Sequence, residues 1–524
     1  MKKFICALAL LSPLFTFSQA SGIAVDWGPL TKSKDLSFYT IIGSDGTSFY
    51  TFGMDNEKAY EKIKEDTYHV KKYHNQSFKT EYDVVYDDFE YKGEPAIYKH
   101  SWLRGNTPHL FFTVYNSDLD KKFLILSILD EKGRKKPPIE IASVKAKRRS
   151  DGAFNISTSQ DSSKVLIYAE QPYLKGEPEK LGLTVLDHEY NLLWEKMVTL
   201  PYTDRYFDIS DWSVTNTGDI FIAGYATPNR RKGERRERDS PNEDYKLFQV
   251  SKDKEDILEY ELGLNDKYVS STSVLCDFDN NTMVITGFYS DKNVDRVGGT
   301  YFITINQNTL EPIIAINEPF TKEFLLNFLP ERRVEKNHDL YNYKFRDFIR
   351  RDDGGVMIVA EQYYKEVISQ VSSSFNGVPT GVQTADVYYY RNDIIVLNIS
   401  PSGSVDWASH IPKEQASVND GGFFSSYLLL VEKNRLNFIF NDNPKNLDRL
   451  REGKRLRGMG SPLRSTAIIA TVDENGKVTR EAFFKSKEVS ATLVPGKSHQ
   501  INYDSALLYG MRKSKSRFGV MKFR

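Results

Sequence analysis

Ile209-Ser210-Asp211-Trp212-Ser213-Val214, Asn216-Thr217-Gly218-Asp219 and Ile220-Phe221-Ile222-Ala223-Gly224-Tyr225 follow one another near the middle of this 524-residue chain. The outer two blocks are rich in β-branched and aromatic residues and read as strands. The middle block is a tight polar turn, in which Asn and Gly tolerate the positive φ that a hairpin requires. A long polar loop follows, then a third strand at Tyr245-Lys246-Leu247-Phe248-Gln249-Val250. Lys252-Asp253-Lys254-Glu255 forms a second turn and Ile257-Leu258-Glu259-Tyr260 a fourth strand. Residues 208–264 therefore make a unit of four short strands with alternating tight and long connections.

The unit recurs in degenerate form on both sides. Its first turn returns as Gln160-Asp161-Ser162-Ser163, Asp277-Phe278-Asp279-Asn280, Arg351-Asp352-Asp353-Gly354 and Glu432-Lys433-Asn434-Arg435, each before an apolar strand. The second returns as Asp130-Glu131-Lys132-Gly133, Asp187-His188-Glu189-Tyr190, Ser400-Pro401-Ser402-Gly403 and Asp473-Glu474-Asn475-Gly476. Equivalent turns lie about 55–80 residues apart, longer than the roughly 40–45 of compact propeller repeats, and the excess sits in the long loops.

Seven nearly complete units span about residues 37–486, and a partial one with three strands runs over 491–524. The missing strand is expected from residues 23–30, which would pair with the C-terminal strand and protect both sheet edges. The expected fold is an all-β propeller of seven or eight four-stranded blades, eight preferred, closed by the N- and C-terminal strands. Helical signals are few, the best being residues 57–65.

Two copies place a Trp seven residues after the second turn opens, Trp194 and Trp407; the same position is Pro137 and Arg480 in two others. This element resembles the turn-plus-Trp of quinoprotein-type propeller blades, and the resemblance implies a Trp docked between neighbouring blades. It implies nothing for a quinone, and no cofactor is expected. The segment Phe438-Ile439-Phe440-Asn441-Asp442-Asn443-Pro444-Lys445-Asn446-Leu447 also resembles uncharacterised secreted propeller-like proteins of Bacteroidota. That family implies no established activity.

The N-terminus carries Lys2 and Lys3, an apolar stretch over residues 4–17 and the small-residue site Ser18-Gln19-Ala20. This is the layout of a secretory signal peptide, too short to span a membrane. Residues 1–20 are expected to be removed, leaving residues 21–524 as one domain in the periplasm or outside the cell. Cys6 leaves with the signal and Cys276 remains alone in an apolar strand, so an intrachain disulfide is excluded. The chain holds 71 basic and 71 acidic residues; losing two lysines leaves 69 against 71, a net charge of −2. Nucleic-acid binding needs a basic excess and is not expected.

Loops after the first and third strands of a blade share one face, and here they are uniformly tight. Loops after the second and fourth strands share the other face and are long: 227–244, 321–343, 365–386 and 442–465. Binding resides on such loops more often than on the scaffold. They gather Arg230 and Arg231, Arg332, Arg333 and His338, and Arg451 and Arg455, with Arg148 and Arg149 on the same face. Two readings stand: a basic recess for an acidic glycan, phosphate ester or acidic partner surface, or ordinary solvated loop charge. The segment 372–379 reads as an uncharged loop.

Catalytic signatures are missing: there is no G-x-S-x-G, H-E-x-x-H or G-x-x-x-x-G-K-[ST]. His69 and His74 read as surface histidines, and Asp277, Asp279 and Asn281 as a hairpin turn rather than a calcium loop. No metal is expected. The leading expectation is a monomeric envelope binding or scaffold protein whose partner is a protein or glycan. The alternative is a hydrolase or lyase acting on glycans or phosphate esters at the mouth of the central channel.

Overall fold

Strands two and three of most units are nearly unbroken apolar runs, as Thr282–Ser290 and Gly299–Asn306 show, with almost every residue buried. A strand reads this way when both faces of its sheet are covered. The outer strand Pro312–Pro319 is mostly exposed instead. A computed structural model of the chain shows why. It describes residues 22–523, apart from 33–35, 56–66, 88, 173–175, 204–206, 227–244, 265, 278–280, 372–373, 376–377, 380–382 and 433. The fold is all-β and propeller-like: among the described residues, eight antiparallel sheets of four or more strands follow one another along the chain. They are numbered first to eighth here, beginning with the sheet of Leu36–Ser44.

The deciding stretch folds as read. Phe207–Val214, Ile220–Ala226, Tyr245–Val250 and Leu258–Glu261 form the fourth sheet in that order. Eight apolar clusters join the sheets. Seven link consecutive pairs, for example Phe221 and Tyr245 of the fourth sheet with Met283 and Tyr301 of the fifth. The remaining one brings Phe49 of the first sheet against Leu507 and Val520 of the eighth. Ile23–Trp27 pairs antiparallel with the C-terminal strand Lys515–Phe523, from Ile23 opposite Phe523 to Trp27 opposite Gly519.

Both tryptophans of the turn-plus-Trp element dock on the next sheet. Trp194 lies against the Gly218 turn, where a Cβ on Gly218 would sit 3.6 Å from its Nε1. Trp407 donates its Nε1–H to the Glu474 carbonyl at 3.0 Å. The turn residue beneath it, Gly476, has φ 77°, and a Cβ there would lie 2.7 Å from the indole. Arg480, at the Trp position of its unit, donates instead to the buried Asp442 at 2.8 Å.

The structure corrects three details. Residues 365–386 are not a long loop: Val356–Val371 and Gln383–Ile399 continue as a paired hairpin rising from the sixth sheet. The aromatic runs Tyr363-Tyr364 and Tyr388-Tyr389-Tyr390 favour strand over loop. Helices α1 (Lys322–Leu326), α2 (Glu331–Glu335) and α3 (Asn446–Arg451) occupy two of the long loops. Elaboration of the loop-rich face is also uneven, since residues 117–120 and 513–514 are tight turns on that side. The expected helix at 57–65 lies outside the described residues. Among the described residues no helix is long and apolar enough to cross a membrane.

Candidate functional site

Four segments of the loop-rich face converge between the fifth, sixth and seventh sheets around a cleft of about 830 Å³. Two follow outer strands (320–342 and 412–427) and two follow second strands (291–298 and 443–465). The cleft is lined by Arg296, Phe328, Arg333, His338, Tyr341, Tyr364, Tyr390, Asp393, His410, Glu414 and Arg455, among others.

Local sequence explains how each wall is held. Thr321 caps α1 by accepting from the Phe324 amide at 3.1 Å, and Glu323 sits in its first turn, where the helix end favours negative charge. Phe320, Phe324 and Phe328 then stack in sequence, with ring centroids 4.3 and 5.0 Å apart, and Phe328 lies 4.3 Å from the His410 ring. This aromatic column fixes α1 against the sixth sheet. Pro330 starts α2 without a side-chain cap, and the His338 amide donates to the Arg333 carbonyl at 3.0 Å. Arg333 and His338 therefore leave one turn side by side.

The opposite wall is held by the Phe438–Leu447 segment. Asp442 and Asn446 are fully buried and bonded at 2.6 Å. The Asn446 amide also donates to the Arg457 carbonyl at 2.9 Å and accepts from the Arg457 amide at 2.9 Å. The segment that carries the family resemblance is thus a polar pin that holds Arg455 and Leu456 over the cleft.

The floor is a buried ionic knot. Glu361 and Lys413 have no exposed side-chain surface and meet at 2.8 Å. Glu361 also accepts from Arg391 at 3.0 Å and from Ser426 Oγ at 2.8 Å, and Lys413 also donates to the Arg391 carbonyl at 2.7 Å. Burial alone would push the Glu361 carboxyl up, but the Lys413 ammonium and the Arg391 guanidinium outweigh it and hold it below its ordinary value. The knot stands where the hairpin leaves the sheet, at the register shift between Glu361 and Tyr363.

The charges of the cleft are partly committed. Asp339 is held by Lys292 at 2.5 Å and Ser290 at 2.8 Å. Asp393 accepts from the Lys413 amide at 2.9 Å and lies 3.5 Å from His410 Nε2, which otherwise has no partner among the described residues. Arg296, Arg333 and Arg455 form no ion pair with a described residue, and Arg296 lies over the Tyr341 ring at 4.9 Å. Three guanidiniums thus face two carboxylates, Asp393 and Glu414.

Of the residues singled out from sequence, the cleft collects Arg333, His338 and Arg455. Arg332 is exposed beside it without lining it. Arg451 is exposed and lies 3.5 Å from Asp448. Arg148 and Arg149 are exposed on the connection between the second and third sheets, away from the cleft. Arg230 and Arg231 lie outside the described residues. Arg296, Tyr341, Tyr364, Tyr390, Asp393 and His410 went unnoticed, although the consecutive tyrosines at 363–364 and 388–390 carried a strand-propensity signal.

Other candidates carry less chemistry. A recess of about 990 Å³ on the tight-turn face has Asp45 and His499 as its ionisable lining. Asp45 is taken up by the Thr47 and Ser48 amides at 2.9 and 2.7 Å and by Tyr50 at 2.8 Å. His69 pairs with Asp83 at 2.9 Å, while His74 accepts from the Gln76 amide at 3.2 Å, so the two do not form a site. Asp277 meets Arg350 at 2.7 Å, and Asp279 lies outside the described residues. Burial pushes the Cys276 thiol up to about 12, leaving it inert at neutral pH. Among the described residues no group of three or more His, Cys, Asp or Glu is placed to hold a metal.

No family model and no curated protein matches the chain. Solved structures do. The β-propeller domain of the Trilobed protease from Pyrococcus furiosus is 10% identical over 75% of this chain and 95% of its own, with a TM-score of 0.32. A protein of unknown function from Bacteroides caccae is 10% identical over 66% and 90%, with a TM-score of 0.27. The polysaccharide lyase Uly1 is 8% identical over 94% and 100%, with a TM-score of 0.35. Likeness at this level says nothing about what the chain does.

Proposed function

We propose that the chain is an exported eight-bladed propeller, closed by its terminal strands, that captures an anionic ligand in the cleft between its fifth, sixth and seventh sheets. The eight inter-sheet clusters and the pairing of Ile23–Trp27 with Lys515–Phe523 support the ring. The signal-like residues 1–20 support export, which a mature N-terminus at Ser21 by mass spectrometry would verify. One observation carries the binding reading: Arg296, Arg333 and Arg455 reach a single cleft from three separate elements, without an ion-pair partner among the described residues. Arginines presented this way suit a carboxylate, sulfate or phosphate.

The test is a thermal-shift series on the mature chain with anionic and matched neutral ligands, since a ligand of the native state alone raises the melting temperature by mass action. An anion-selective, dose-dependent shift that Arg333→Ala and Arg455→Glu abolish, and Arg451→Glu spares, supports the reading. A shift indifferent to those variants refutes it.

A second reading, a hydrolase or lyase, has His410 in its favour, with Nε2 3.5 Å from Asp393 and otherwise unpartnered among the described residues. An imidazole beside a carboxylate suits general acid–base work. Turnover lost in His410→Ala would establish it; binding with no turnover would leave the chain a binding protein.

A further inference from the structure

The cleft is larger and more aromatic than an anion alone requires. Its volume of about 830 Å³ falls within the roughly 300–1,000 Å³ typical of sites for molecules of several rings. A lone phosphate or sulfate would leave most of it to water.

Its longest continuous feature is a row of tyrosines. Tyr364 and Tyr390 are cross-strand partners in the hairpin, with ring centroids 4.6 Å apart and planes 14° from parallel. Tyr388 continues the row 6.4 Å from Tyr390, and Tyr341 extends the other end 6.3 Å from Tyr364. Tyr341, Tyr364 and Tyr390 line the cleft, and Tyr388 carries the row beyond it up the hairpin. The binding surface is therefore longer than the recess.

We propose that the ligand is an anionic oligosaccharide, a short chain of carboxylated or sulfated sugars, seated along this tyrosine row with its charges on Arg296, Arg333 and Arg455. The inference rests on the anion-binding reading of the cleft and names the class of anion. A sugar ring has an apolar C–H face and a rim of hydroxyls; a tyrosine offers ring carbon and a phenol hydroxyl, the same division of character. The guanidinium fork matches a carboxylate or a sulfate. The three arginines come from the Arg296 strand, from α2 and from the loop after α3, so a chain that carries several charges can meet them from different sides of the cleft. Asp393 and Glu414 supply acceptors for sugar hydroxyls. A single-stranded nucleic acid stacks its bases on open ring faces. Such a ligand also needs a basic groove to track its backbone, and the mature chain has no basic excess.

The experiment is calorimetric titration of the mature chain with five probes. They are an oligogalacturonate tetrasaccharide, a heparin-derived tetrasaccharide, neutral cellotetraose, inorganic phosphate and a short oligo(dT). The expected result is binding of at least one acidic tetrasaccharide about tenfold or more tighter than cellotetraose, the factor one charge-assisted hydrogen bond supplies. Tyr341→Ala removes a side chain on a 42% exposed residue, so the fold survives it; an unchanged melting temperature checks this. It should weaken the tetrasaccharide about tenfold and leave any phosphate binding unchanged, whereas Arg333→Ala weakens both. Binding of the oligogalacturonate shows that carboxylates suffice, whereas binding of the heparin fragment alone, which carries both groups, shows that sulfate is required. Phosphate or oligo(dT) binding without either acidic tetrasaccharide overturns the oligosaccharide and leaves the anion cleft standing. Equal binding of acidic and neutral tetrasaccharides, or no binding by any probe, overturns both.

Discussion

Replacing Glu361 with Gln should destabilise the sixth sheet and the hairpin it carries. The glutamate has no exposed surface and accepts from Lys413 at 2.8 Å, Arg391 at 3.0 Å and Ser426 at 2.8 Å. Glutamine keeps the shape but presents an NH2 to groups that are themselves donors. The fully buried Lys413 ammonium is left without its counter-charge. Removing one partner of a buried ion pair costs about 3–5 kcal/mol, and hydrogen bonds to charged groups are worth about 1.5–3 kcal/mol each. Because Gln retains one acceptor, the loss is expected near the middle of the first range, about 4 kcal/mol. Equilibrium urea unfolding measures it if refolding is reversible, with hydrogen exchange at Lys413, Gln415 and Ser426 as a local reading. The double variant Glu361→Gln/Lys413→Met removes the orphaned charge as well. It should recover about 1–3 kcal/mol relative to the sum of the single variants. Additive single variants, or a Glu361→Gln protein within about 0.5 kcal/mol of wild type, would show that the knot is solvated or unpaired and refute the reasoning.

Three further outcomes are open to measurement. Gly476→Ala should cost about 1–2 kcal/mol for its left-handed backbone plus the clash with Trp407, and Trp407→Ala should relieve the clash, so the pair is less than additive by urea unfolding. Deleting residues 518–524 removes most of Lys515–Phe523, the strand that joins Ser505–Arg512 to Ile23–Trp27, and cooperative melting should be lost; wild-type melting after the deletion would sink the closed ring. His109 gives acid sensitivity: burial first, then Arg104 and Lys136, push its imidazole down to about 4 in the fold. Below the unfolded value of about 6.5 the unfolded chain binds the extra proton, so stability complete above that value drains away as pH falls towards 4. With partial solvent access the loss is about 2–3 kcal/mol, and His109→Gln should flatten that part of the stability–pH curve.

How much was legible can be traced to particular residues. The four-strand unit and the polar turns were readable because strand alternation and positive-φ turns are local, each set by residues a few positions apart; the docking of Trp194 and Trp407 was implied only by the resemblance to quinoprotein-type blades. The hairpin of Tyr363–Tyr364 and Tyr388–Tyr390 was missed because an abundance of polar residues between 365 and 386 outweighed the aromatic pairs. Helices α1 and α2 escaped because each is five residues long, below the span over which helical periodicity shows.

Sequence alone therefore determined the repeat, the all-β class and which face bears the long loops, since these depend on the hydrophobic pattern and on turn chemistry. It did not determine which charges meet. Arg333, His338 and Arg455 were visible as loop cations, but Arg148, Arg149, Arg332 and Arg451 looked no different. What separates them is the Phe320–Phe324–Phe328 column and the Asp442–Asn446 pin, which place α2 and residues 455–456 across from Tyr364, Asp393 and His410. Those braces are local, but the cleft they complete joins residues from Arg296 to Gly458, 162 positions apart. Only packing of three consecutive sheets, driven by burial of their apolar faces, brings them within ångströms.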